Sequence, residues 1–189
     1  MEVINFVTKN KFKFQLAQEK LNFNDNIKLV QNKLDCIEIQ ADSIEEVAIY
    51  SVQYSVEQLN SPCIKNDSGL VIPALGGFPG PYTSYIEKTI GIKGLLNLMK
   101  NVKDRRAKFI EILAFGRPGE KPIAFKCITR GYISKEIKGK YGWSFDKIFI
   151  CQGYKKTLAE FEDKERVKLW DSSGYKKLSD FINKIYASK

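Results

Sequence analysis

Short apolar runs alternate with segments of helical spacing along this chain, and that alternation limits its fold more than any other feature. The run Val3-Ile4-Asn5-Phe6-Val7 reads as a buried strand. Thr8-Lys9-Asn10 breaks it, and Lys11 to Leu21 reads as a helix with Phe12, Leu16, Ala17 and Leu21 on its apolar side. A second short strand is expected from Leu34 to Ile39, beside Glu38. Ser43 with Glu46 three residues on makes a capping box, which opens a helix reaching about Leu59. Cys63-Ile64-Lys65 is a strand leading into Asn66-Asp67-Ser68-Gly69, and Leu70 to Ile72 resumes an extended run. Leu75-Gly76-Gly77-Phe78-Pro79-Gly80-Pro81 has to be a loop, because its glycines and prolines suit neither a helix nor a ladder. Two short helices come next, Tyr82 to Ile90 and Ile92 to Met99, split at Gly91. Arg106 to Phe115 and Ile123 to Tyr132 form a hairpin about the turn Gly116-Arg117-Pro118-Gly119. Ile148 to Cys151 is a short strand, and Leu178 to Tyr186 a closing amphipathic helix. Helices interleaved with strands, plus one long hairpin, mean an α/β fold with a mixed sheet. A length of 189 residues suits one domain covering 1–189.

Composition narrows the chemistry. The chain has no histidine, so Ser-His-Asp and Cys-His mechanisms are excluded. A base must then be a carboxylate, a lysine or a metal-bound water, and a metal would be held by carboxylate oxygens, which suit magnesium or manganese. The four cysteines, Cys36, Cys63, Cys127 and Cys151, form no CxxC pair and each lies in or beside an apolar run. Free, buried thiols are expected, and a structural zinc site is not. The net charge of +9 favours an anionic ligand. No stretch approaches the roughly 18 apolar residues that a membrane helix requires, so a cytoplasmic protein with no membrane contact is expected.

Three places carry candidate chemistry. Thr8-Lys9-Asn10-Lys11-Phe12-Lys13 lies between a strand and a helix, where amides and Lys13 attract phosphate; the same residues also serve as plain caps. Asp67 lies at the end of a buried strand, where α/β proteins place ligand chemistry, although an Asx-turn reads equally well there. Trp143 and Phe145, two residues apart, would face one side if extended, with Asp146 beside them to meet a base edge; the edge of a core is the plainer reading.

Taken together these segments resemble the inosine/xanthosine triphosphate pyrophosphatase family over nearly the whole chain. Thr8-x-Asn10-x-x-Lys13 is similar to its phosphate-binding motif, and Asp67-Ser68-Gly69-Leu70 with Ala74 to Tyr82 resembles its most specific stretch. Asp104 to Phe109 resembles its basic strand start. Trp143-Ser144-Phe145-Asp146 with Phe149, Gly153-Tyr154 and Thr157-x-Ala159-Glu160 resembles its base-binding loop and the segment after that loop. The resemblance implies an elongated, twisted mixed sheet with helices on both faces and two lobes about a central cleft. It implies Asp67 as general base or metal carboxylate, and Glu38 with Asp67 as ligands of magnesium or manganese. Thr8, Lys9, Asn10, Lys13 and Ser68 would hold the triphosphate. Trp143 and Phe145 would flank the base, Asp146 would read it, and Arg166 or Lys168 would stand in for a family lysine. Water would attack the α-phosphorus of ITP, dITP or XTP, releasing pyrophosphate. Family members are homodimers, and no stable nucleic-acid partner is implied.

The chain also departs from that pattern. Lys9 stands where the family has glycine, Asn66 where it has an acidic residue, and Ser51 where it has a lysine. The family's Ser-His-Arg motif is replaced by Arg166-Val167-Lys168-Leu169-Trp170-Asp171-Ser172-Ser173-Gly174-Tyr175. An altered or relaxed base preference is therefore expected. Two other readings remain: a pyrophosphatase for modified or pyrimidine nucleotides, and a nucleotide-binding protein that has lost catalysis.

Overall fold

The computed structural model describes residues 1–37 and 39–187. Its described residues form a six-stranded sheet in the order β2-β1-β3-β4-β5-β6. The strands are β1 (Glu2–Val7), β2 (Ile27–Asn32), β3 (Cys63–Val71), β4 (Arg106–Gly116), β5 (Ile123–Ile133) and β6 (Phe149–Cys151). The helices are α1 (Lys11–Lys20), α2 (Ile44–Leu59), α3 (Thr83–Thr89), α4 (Gly91–Leu98), α5 (Asp163–Arg166) and α6 (Ser173–Tyr186). β1 runs parallel to both β2 and β3, whereas β5 and β6 are antiparallel. The expected mixed α/β fold is the one adopted.

Three local readings are corrected. The second strand lies at Ile27–Asn32, not Leu34–Ile39, since Ile27 to Asn32 pairs with every residue of β1 from Glu2 to Val7. Residues 34–37 carry no strand, and Glu38 lies outside the described residues. In α1 the inward side carries Phe14 rather than Phe12, which is 53% exposed. The helix begins at Lys11, so Phe14, Ala17 and Leu21 recur at the spacing of one face, and Phe12 does not. Finally, Asn66-Asp67-Ser68-Gly69 does not interrupt the chain direction: β3 passes through it unbroken.

The chain divides into two compact units. The first comprises 1–67, 111–127 and 172–189. Its core joins Ile4, Phe6, Ile64, Leu113 and Phe115 of the strands to Ala17 of α1 and Tyr175, Leu178 and Ile182 of α6. These strand positions alternate, so one face of the sheet meets α1 and α6. The other face meets α2: a Cβ placed on Gly116 would lie 3.0 Å from Val56 and 3.6 Å from Val52. Ser43 accepts from the Glu46 amide at 3.1 Å and Glu46 returns to the Ser43 amide at 3.2 Å, the capping box read from sequence. Such a cap contributes about 1 kcal/mol. Cys63 and Cys127 are buried, Cys36 is half-buried, and all are free thiols.

The second unit comprises 68–110 and 128–171. Leu70, Leu95, Met99, Phe109, Phe145, Phe149 and Leu158 form its core. The glycine-proline loop is fastened to β3 through Thr83, whose hydroxyl donates to the Gly80 carbonyl at 2.7 Å and accepts from the Leu70 amide at 2.8 Å. Arg105 closes the start of β4 by donating to the carbonyls of Met99, Ile133 and Ser134. Those three bonds make Arg105 a structural clamp, while exposed Arg106 holds the Asp104 carboxyl down to about 2.

Candidate active site

The order β2-β1-β3, with β1 parallel to both neighbours, makes the C-terminal end of β1, beside the middle of β3, a topological switch point. The chain leaves β1 toward one side and returns to β3 on the other, which is where open α/β sheets bind ligands. The register pairs Asn5 with Cys63 and Phe6 with Ile64. Continued by two residues, it carries Thr8 to the level of Asn66, next to Asp67.

At the β1 end, Asn10 caps α1. Its Oδ1 accepts from the amides of Phe12 at 2.9 Å and Lys13 at 3.2 Å, and the Asn10 amide donates to Thr8 Oγ1 at 3.1 Å. The structure adopts the capping reading of this turn: Asn10 satisfies two of the amides, so positive charge here comes from side chains. Exposed Lys9 pairs with exposed Asp35. Lys13 reaches the middle of β3, where its Nζ donates to the Asn66 carbonyl at 3.3 Å. The structure therefore brings Thr8, Asn10, Lys13 and the Asp67 strand together within the first unit.

Asp67 is half-buried. By strand alternation it shares the face of Cys63 and Lys65, the face opposite Ile64 and the α6 side. On the same side, Ser51 and Ser55 of α2 are buried, and Ser55 Oγ lies 3.2 Å from Cys36 Sγ. Ser68, the next residue, is exposed. Among the described residues no three Cys, Asp or Glu side chains gather as a closed metal cage. A half-buried carboxylate within β3 suits magnesium, which keeps waters and takes substrate oxygens to complete its shell.

In the second unit, Ser144–Lys147 forms a single 3₁₀ turn, so Trp143 and Phe145 are not two residues of an extended segment. Asp146 turns the chain by accepting from the Trp143 amide at 2.9 Å. Trp143 stays 55% exposed, whereas Phe145 is wholly buried and meets Trp143 edge-on at 6.3 Å. Asp146 and Arg166 are both buried and bonded at 2.9 Å, and Arg166 also donates to Asp163 at 2.8 Å. Burial pushes the Asp146 carboxyl up, and the Trp143 amide and Arg166 guanidinium act against that. Gly142 stands over the pair with φ of 67°, and a Cβ there would collide with Arg166 Nη1 and Asp146 Oδ2. Thr157-x-Ala159-Glu160 anchors the approach to this turn: the amides of Lys140 and Tyr141 donate to the Ala159 carbonyl at 2.9 and 3.0 Å. So Trp143 presents a flat surface, and Phe145, Asp146 and Arg166 form the support beneath it.

Sequence reading passes over Glu111 and places Tyr175 only within the stretch that replaces the Ser-His-Arg motif; both bond to Asn66 beside Asp67. A signal is present. Glu111 occupies the inward register of a strand that continues with Leu113 and Phe115, a place where an unpaired carboxylate is costly.

Known proteins share the sequence and the fold of this chain. The chain is 40% identical over 164 residues to a dITP/XTP pyrophosphatase of Methanopyrus kandleri, spanning 87% of each. It is likewise 40% identical over 163 residues to a dITP/XTP pyrophosphatase of Saccharolobus solfataricus, covering 86% of this chain and 84% of that one. The fold matches a HAM1 protein from Coxiella burnetii with a TM-score of 0.87 at 25% identity, over 97% of this chain and 100% of the other. It matches the Ham1 protein of Staphylococcus aureus with a TM-score of 0.80 at 25% identity, over 96% and 98%. A model of the Ham1 family matches residues 4–171, and the chain belongs to that family.

Proposed function

We propose that this protein is a nucleoside-triphosphate pyrophosphatase that hydrolyses non-standard purine nucleotides, dITP, ITP and XTP, to the monophosphate and pyrophosphate. The observation that carries this reading is the bond from Lys13 to the Asn66 carbonyl, which fixes a cation of the first turn of α1 one residue from Asp67. Relatives sharing this chain's sequence over most of their length are dITP/XTP pyrophosphatases.

In this proposal residues 1–189 act as one catalytic domain. Lys13, Lys9, Thr8, Asn10 and Ser68 hold the triphosphate oxygens. Asp67 takes the proton of the attacking water, whose oxygen bonds to the α-phosphorus as the bond to the bridging oxygen breaks. Pyrophosphate leaves with that oxygen. Magnesium, held by Asp67 and Glu38, would neutralise phosphate charge and lower the pKa of a bound water. Phosphoryl chemistry needs positioning and charge neutralisation, which these residues provide without histidine. Trp143 stacks on the base, and Asp146 with Arg166 sets its position. With Phe145 buried and Asp146 and Arg166 bonded to each other, stacking dominates base recognition, so discrimination against ATP is weak. The protein works as a cytoplasmic homodimer; no described helix is long and apolar enough to cross a membrane.

Hydrolysis of dITP in heavy-oxygen water tests the reaction itself. The label is expected in dIMP, with unlabelled pyrophosphate as co-product. Label in inorganic phosphate, with dIDP formed, would replace this reaction with γ-phosphate cleavage.

A further inference from the structure

We propose that Glu111 and Tyr175 are positioning residues for this hydrolysis, acting through Asn66 on Asp67 and Lys13; the inference rests on the function proposed above. Asn66 lies on the same face of β3 as Ile64, and Glu111 on the same face of β4 as Leu113 and Phe115. Both meet Tyr175 of α6 at one end of the first unit's core. Asn66 Nδ2 donates to Glu111 Oε1 at 2.5 Å and to Tyr175 Oη at 3.1 Å, and the Tyr175 hydroxyl donates to the same Glu111 oxygen at 2.7 Å. The Asn66 main-chain carbonyl takes the Lys13 ammonium. Asn66 is thus held through its side chain from the α6 side and through its backbone by Lys13.

Packing alone does not call for this arrangement. An aliphatic residue at 111 would continue the Leu113 and Phe115 row, and burying a carboxylate against a core is unfavourable unless it is bonded. Its partners here are two neutral donors. Lys20 places a buried Nζ 5.1 Å from the centre of the Tyr175 ring, with no hydrogen-bond partner among the described residues. Buried polar networks of this kind fix one geometry at a cost in stability. The geometry fixed is that of β3 at the point where it delivers Asp67. Asn66 and Asp67 are consecutive and face opposite ways, so a rotation of one peptide unit moves both the carboxylate of Asp67 and the carbonyl that seats Lys13. Tyr175 adds the link to α6, and burial together with the Glu111 carboxylate pushes its hydroxyl pKa upward, so it remains a proton donor to Glu111.

The test compares Glu111→Leu, Glu111→Gln and Tyr175→Phe with wild type, measuring kcat and KM for dITP alongside thermal stability. Glu111→Leu keeps the packing, loses the acceptor and leaves an Asn66 and a Tyr175 donor unpaired; assayed well below its melting temperature, it is expected to lower kcat/KM by about tenfold to a hundredfold. Glu111→Gln keeps an acceptor oxygen and should recover activity to within about threefold of wild type. Tyr175→Phe should fall between them. Wild-type kcat and KM in Glu111→Leu would overturn the inference and leave the pyrophosphatase reading intact. So would losses that track melting temperature, with Gln no better than Leu. If wild type turns over no dITP at all, the function itself falls and this inference with it.

Discussion

Lys13 and Asn66 stand 53 positions apart in sequence, yet the lysine ammonium rests on the asparagine carbonyl at 3.3 Å. The contact arises from the parallel pairing of β1 with β3, which brings the turn after β1 level with the residue before Asp67. A cation on a flexible stem thereby gains a fixed place one residue before Asp67, and the proposed function puts triphosphate binding there.

Replacing Lys13 with Ala should therefore act mainly on substrate binding. One charge-assisted bond to phosphate is worth about 1.5–3 kcal/mol, which corresponds to a rise of about tenfold to a hundredfold in KM for dITP. Steady-state kinetics with saturating magnesium measures it; an unchanged KM would remove Lys13 from the phosphate site.

Trp143 should carry most of the base affinity. Truncation to Ala is expected to cost about 1–3 kcal/mol, since each stacked base contributes that much and the face is exposed in the free protein. The loss should be similar for dITP, XTP and ATP, because every base offers a flat face. A loss confined to one nucleotide would show that Trp143 reads rather than stacks. On the same grounds, kcat/KM for ITP and ATP should differ little, and sharp rejection of ATP would contradict weak discrimination.

The Asp146–Arg166 pair should behave as a brace. Arg166→Met leaves Asp146 buried without its guanidinium, and breaking a buried pair from one side costs about 3–5 kcal/mol. Gly142→Ala should also destabilise, because its Cβ would meet both partners and the position has φ of 67°. Chemical denaturation of each variant measures the loss. Full stability in Arg166→Met, coupled with a selective loss of nucleotide binding, would restore Arg166 to the substrate.

Stability should fall on the alkaline side. Burial pushes the Cys63 thiol up to about 12 and the Cys151 thiol up to about 11, against an ordinary 9.0. Both groups stay protonated in the folded chain while the unfolded chain ionises them. Their contribution is present in full below pH 9.0 and is lost progressively as pH rises from there through 11 and 12. Urea midpoints measured from pH 8 upward should decline, and Cys63→Ala should flatten the decline. A flat profile in wild type would contradict the burial of these thiols.

How much of this is legible in sequence depends on how far apart the deciding partners lie. The capping box of Ser43 and Glu46 is local, and so is the cap of Asn10 on α1; both are readable from a few neighbouring residues. The second strand is misplaced by sequence alone because Leu34 to Ile39 is as apolar as Ile27 to Asn32, and only pairing with β1 separates them. The Trp143 segment reads as extended, whereas the bond from the Trp143 amide to Asp146 winds it into a turn and sends Phe145 inward. The Asn66–Tyr175 contact spans 109 positions, and no local pattern announces it. Glu38, expected as a metal ligand, lies outside the described residues.

Pyrophosphate release from dITP, XTP and ATP in magnesium, compared between wild type and Asp67→Asn, tests the central claim most directly. The substitution keeps the size of the side chain and removes the base. Rapid release by wild type, with a fall of about a hundredfold or more in kcat for Asp67→Asn, is the predicted result. Undiminished release by Asp67→Asn would contradict the assignment of Asp67, and no release by wild type from any of the three would contradict the pyrophosphatase function.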